Sequence, residues 1–171
     1  PKRAIVLLPP PSISSLFYVK IEEMRKTLFH SQVQPYWEKF SDDELLSMKL
    51  KDVYIPIEKT GLTFFTNRLY QELERKGLTY FRPKIWFSDE WFSPDGINGI
   101  AVPFYLAHKR LAKLEERMIY EVEGGTPRTF MQLLRHECGH AIDNAYRLRR
   151  KRLRQSLFGK SATNKGASHT L

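Results

Sequence analysis

The sequence predicts an α+β fold, and three observations carry that prediction. Apolar residues recur at helical spacing through residues 60–76, 107–119 and 126–158. Two strand-like runs, 84–87 and 99–105, lie between the first two of those segments. The chain has 171 residues, 42% apolar and 13% aromatic, which suits one domain with a buried core and is too apolar for disorder.

Residues 1–11 read as a short strand or extended arm closed by Pro9, Pro10 and Pro11. Residues 15–29 fit a helix with Leu16, Ile21, Met24 and Leu28 on one side. Ser41-Asp42-Asp43-Glu44 before Leu45 and Leu46 carries the start signal of a short helix. Thr60 to Lys76 is a stronger helix, with Phe64, Leu69 and Leu73 facing inward and Gly77 as its stop. Residues 79–83 lead as a strand into 84–87, and Pro94-Asp95-Gly96 is a turn. The 99–105 strand contains Pro103, which cannot donate to a ladder and so favours a sheet edge. A helix over 107–119 places Leu111, Leu114 and Met118 inward. After the loop Glu123-Gly124-Gly125, Thr126 caps the main helix and Pro127 takes its first position. This helix is expected to run to Phe158, with Gly159 ending it.

That last helix carries His136-Glu137-Cys138-Gly139-His140, an H-E-x-x-H pattern. Its two imidazoles, one turn apart, can grip a zinc ion, and the glutamate between them can accept a proton from water held there. With His136 at 0° and about 100° per residue, His140 falls near 40° and Glu137 near 100°. Cys138 falls near 200°, within the stripe of Phe130, Met131, Leu134, Ala141, Ile142 and Ala145, so it reads as a buried small hydrophobe. Asp143 and Arg147 return to the histidine face. Asp143 can hold a ligand histidine by its second nitrogen or pair with Arg147 at i, i+4; the ion pair is preferred. Beyond Leu148 the pattern collapses, because Arg149 and Arg152 land on the apolar side.

The net charge is +9, and most of it is local. Past His140 stand Arg147, Arg149, Arg150, Lys151, Arg152, Arg154, Lys160 and Lys165, against the single acid Asp143. Such a segment suits nucleic acid, though cations that complement a helix C-terminus are the preferred reading. The one cysteine excludes an internal disulfide. No run is long enough to span a membrane, and the N-terminal apolar run is too short for a signal peptide, so the expected location is cytoplasmic with no membrane partner.

Three stretches together resemble the bacterial zinc-binding metallopeptidases with an H-E-x-x-H helix. They are Glu121 to Thr126, Leu133 to Leu148, and Ser88 to Gly96 with Gly99 to His108. The similarity covers about residues 45–158. It implies a zincin-like fold, a small mixed sheet with an edge strand over a long active-site helix. It also implies zinc held by His136 and His140, Glu137 as general base, and a peptide or protein substrate. The strand carrying Gly99, Ile100, Ala101 and Val102 is the candidate for aligning that peptide by strand addition. The family continues past this helix with an acidic segment that supplies a third ligand. The tail from Ser161 to His169 does not match it, so the chain reads as a truncated or frame-shifted member. His108, Glu121, Glu123 and His169 are weaker candidates for the third ligand. The expected organisation is one domain over 1–158, with an arm at 1–14 and a disordered tail at 159–171. The alternative function is a basic nucleic-acid-binding module carrying a degenerate or structural zinc site.

Overall fold

The computed structural model describes residues 27–159. The expectations for the arm, for most of the 15–29 helix and for the tail with His169 lie outside these residues. Of that first helix only its end is described, where Leu28 is fully buried.

The described elements mix helix and strand in the order α1 (Asp42–Ser47), α2 (Leu50–Val53), α3 (Leu62–Arg75), β1 (Lys84–Ser88), β2 (Gly99–Pro103), α4 (Lys109–Ile119), α5 (Pro127–Tyr146) and α6 (Arg152–Phe158). Short 3-10 turns occur at Tyr36–Lys39, Ile57–Lys59, Phe104–Ala107 and Leu148–Arg150. The described residues form two compact units, which divide at Phe65/Thr66, Phe104/Tyr105 and Phe130/Met131. Helices α3 and α5 each begin in the first unit and end in the second.

The first unit is organised around Trp37, Phe65 and Phe130, all nearly inaccessible to solvent. The Phe65 and Phe130 rings meet at 5.0 Å. Helix α1 starts with a reciprocal cap, in which Ser41 Oγ accepts from the Glu44 amide and Glu44 Oε2 accepts from the Ser41 amide at 2.7 Å. Arg110 of α4 donates to Phe40 O and to Asp42 Oδ1 at 2.6 Å, and Arg117 donates to that same oxygen. The Arg110 hydrogen bond leads in holding the Asp42 carboxyl below its usual range. In α4, Leu111 and Leu114 face inward as expected, but Met118 is 54% exposed. The helix ends one turn beyond the core, at left-handed Tyr120.

In the second unit, α3 closes as its sequence predicts. Gly77, at φ +80°, lets its own amide reach Glu74 O and the Leu78 amide reach Leu73 O, which satisfies the terminal carbonyls. Phe65, Leu69 and Leu73 are the buried positions, four residues apart, while Phe64 is 44% exposed. The expected inward Phe64 is therefore corrected: five residues before Leu69 is off the face that four residues before it occupies. Residues 79–83 form no strand, and Tyr80 is 99% exposed. Strands β1 and β2 pair in parallel, Lys84 opposite Gly99 through Ser88 opposite Pro103. The crossover between them carries the turn at Gly96 (φ +79°).

Candidate metal centre

Helix α5 starts as its sequence dictates. The Thr126 amide donates to Thr129 Oγ1 at 3.1 Å, and the Thr129 amide donates back to Thr126 Oγ1 at 3.2 Å. Pro127 occupies the first position, where no amide is needed. Phe130, Met131, Leu134, Cys138 and Ala141 form the buried stripe, each no more than 2% exposed. Ile142 is half-buried and Ala145 exposed, so the stripe is shorter than its periodicity suggests. Cys138 lies in the core, on the side of the helix away from the histidines, and that burial pushes its thiol up to about 11.

On the opposite side His136 and His140 are exposed, with their Nε2 atoms 3.1 Å apart. A tetrahedral ion with bonds of about 2.0–2.1 Å requires roughly 3.3 Å between two such nitrogens. Their rings stand edge to face at 82° with centroids at 4.7 Å, and the two nitrogens lie within hydrogen-bond distance of each other. A donor atom of Glu137 joins them, all three lying within 4.8 Å of one another. Glu137 is 8% exposed as a residue. Two imidazoles one helical turn apart with a carboxylate oxygen this close form a donor set that fits a metal ion. Among the described residues it is the one group of three His, Cys, Asp or Glu side chains able to hold one.

The surrounding residues depart from the expected pattern. Asp143 neither reaches a histidine nor pairs with Arg147. Its Oδ1 accepts from the Arg149 amide and its Oδ2 from Arg149 Nε, both at 2.8 Å. For that to happen the chain must fold back after α5, and Arg147 turns left-handed at φ 51° to do so. The helix expected to run unbroken to Phe158 thus stops at Tyr146, becomes a 3-10 turn, and restarts as α6. Arg149, expected on an apolar face, is held by Asp143, Asp95 and Asn144.

Strand β2 also differs from its expected role. Its five residues are all buried, and the edge not paired with β1 is already used. The Ala101 amide donates to Phe92 O at 2.8 Å, and the Phe92 amide donates back to Ala101 O at 3.4 Å. Gly99 donates to Ile97 O, and Gly99 O accepts from Ser93 Oγ. Gly99 through Val102 therefore do not present a free edge for an added peptide strand in this structure.

Of the weaker ligand candidates, His108 is a cap. Its Nδ1 accepts from the Arg110 amide at 3.2 Å and its ring packs edge-on against Trp37 at 5.3 Å. Glu121 and Glu123 are exposed in a loop rather than on a strand. One supporting contact joins the motif to a distant helix. Arg135, next to His136, makes a two-pronged bond to Glu72 of α3 at 2.7 and 2.8 Å. That bond leads in holding the Glu72 carboxyl below its usual range. A partner 63 residues away leaves no local signal in the sequence. Likewise Asn144 Nδ2 donates to Pro94 O at 3.2 Å, tying α5 to the β1–β2 crossover.

Comparison of the chain with protein-family models, with curated proteins and with solved structures gives no match.

Proposed function

We propose that this chain carries the zinc-binding helix of a metallopeptidase. The observation that supports this best is the 3.1 Å separation of the His136 and His140 Nε2 atoms, with a Glu137 carboxylate oxygen within 4.8 Å of both. A pair of imidazole donors suits zinc among the common biological cations. Bound there, zinc supplies Lewis acidity and makes hydroxide available near neutral pH. Glu137 takes the proton released by the attacking water on its carboxylate and passes it to the departing amine. Arg135, locked to Glu72, fixes the turn of α5 that aims His136. The zincin-like arrangement is part of the same proposal, supported by a long helix bearing the motif in a chain that also contains a small sheet.

A catalytic zinc centre takes three protein ligands and leaves one position open. His136 and His140 are two. The described residues bring no further imidazole, thiolate or carboxylate beyond Glu137 to them. We therefore expect the 171-residue chain to bind zinc and to hydrolyse peptides slowly or not at all. Calorimetric titration with zinc tests the first part. His136→Ala is expected to weaken binding by more than the roughly 10–100-fold that outer-shell substitutions cost, and Glu137→Gln is expected to retain it. Undiminished zinc binding by His136→Ala would refute the site. Rapid peptide turnover abolished by Glu137→Gln would show that a third ligand is supplied within the chain.

A further inference from the structure

Helix α6 is amphipathic with its apolar side outward. Gln155 Nε2 donates to Arg149 O at 2.9 Å, fastening the polar side of α6 to the preceding turn. At about 100° per residue, Leu153 and Leu157 both lie about 160° from Gln155. They point away from that attachment and are 72% and 68% exposed; Phe158 lies off this stripe, about 60° from Gln155, with the Arg154 guanidinium 5.8 Å over its ring. Cations border this stripe on both sides, Arg152 on one flank and Arg154 on the other. Arg150 and Lys151 precede it directly. Among the described residues Arg147, Arg150, Lys151 and Arg152 form no ion pair, because Asp143 and Asp95 are both committed to Arg149.

We propose that α6 and the turn before it dock on an anionic lipid surface. Leu153 and Leu157 enter the boundary between headgroups and acyl chains, and Arg150, Lys151 and Arg152 meet the headgroup phosphates. Nucleic acid would use the cations but gives two exposed leucines nothing to bury against. A protein groove would have to complement a convex stripe with positive charge on both flanks. A bilayer meets both demands without a shaped partner, since its phosphates lie in a plane around an apolar interior. No helix among the described residues is long and apolar enough to cross a membrane, and a surface-lying helix needs no such length. Apolar insertion and a basic cluster are the two signals that stable peripheral attachment combines.

Co-sedimentation of the full chain with lipid vesicles tests this. Vesicles of phosphatidylcholine with about 30% phosphatidylserine should bind it on the order of a hundredfold more tightly than phosphatidylcholine alone. The double variant Leu153→Ser, Leu157→Ser and the charge reversal Arg150→Glu, Lys151→Glu, Arg152→Glu should each weaken that binding by at least about tenfold. All five side chains lie at the surface, and circular dichroism verifies that each variant is folded; should the double variant unfold, Leu153→Ser alone is read in the same assay. No binding to the anionic vesicles, or equal binding to neutral ones, overturns the proposal. Loss on charge reversal without loss on serine substitution also overturns it, and duplex DNA binding unaffected by the serines would then identify a polyanion surface instead.

Discussion

Replacing Arg147 by glycine separates a broken helix from a continuous one by the sign of the stability change. Arg147 sits at φ 51°, in the left-handed region. A side chain with a Cβ there costs about 1–2 kcal/mol, which glycine relieves. Glycine also makes the unfolded chain more flexible, at a cost of about 0.4–1 kcal/mol. The Arg147 side chain has no ion pair among the described residues, so its removal adds little. The net expectation is a stabilisation of about 0.5–1 kcal/mol. Were α5 continuous through this position, glycine in a helix interior would destabilise by about 0.8–1 kcal/mol, because arginine is nearly as good a helix former as alanine. The two structures are thus separated by about 1.5 kcal/mol. Urea unfolding followed by circular dichroism resolves this as a shift in midpoint at constant slope. Tyr120→Gly provides a parallel case, since Tyr120 has φ 61° and is 91% exposed. A midpoint that falls for Arg147→Gly while it rises for Tyr120→Gly would refute the break after Tyr146.

Two further outcomes follow from burial and charge. Cys138, 2% exposed with its thiol pushed up to about 11, should resist a thiol reagent at pH 8 in the folded protein and react at once in denaturant; fast labelling of the native chain would contradict its core position. Glu72 has a folded-state carboxyl pKa below its unfolded one, mainly through Arg135. Its contribution to stability is therefore complete above the unfolded value of about 4.3 and is lost as pH falls through the lower folded value. Glu72→Gln should flatten the acid limb of a stability–pH curve below about pH 4.5, and an unchanged limb would argue against the Arg135 bond.

What the sequence made legible is what local chemistry decides. Ser41 with Glu44, Thr126 with Pro127, and Gly77 after Arg75 are each complete signals within four residues, and all three ends are where they point. The histidine pair was legible because one helical turn fixes its spacing. The end of α5 was not. Neither glycine nor proline marks it; the carboxylate of Asp143 captures an amide six residues on, and a helical wheel cannot register a turn that its own premise excludes. The closed edge of β2 was equally hidden, since Phe92 belongs to no periodic run and meets Ala101 only after the crossover folds back. Pro103 pointed to a sheet edge, and its strand is one of only two described, but the crossover covers the second side at Ala101.

The double attachment of β2 has a dynamic consequence. Ile100, Ala101 and Val102 are 0% exposed, with β1 on one side and the Phe92 segment on the other. The Ala101 amide is held by Phe92 O and shielded on its other side by β1, whereas the turns of α6 are exposed. Hydrogen exchange should therefore be slow at Ala101 and fast in α6, with the histidine pair in the chain between the two.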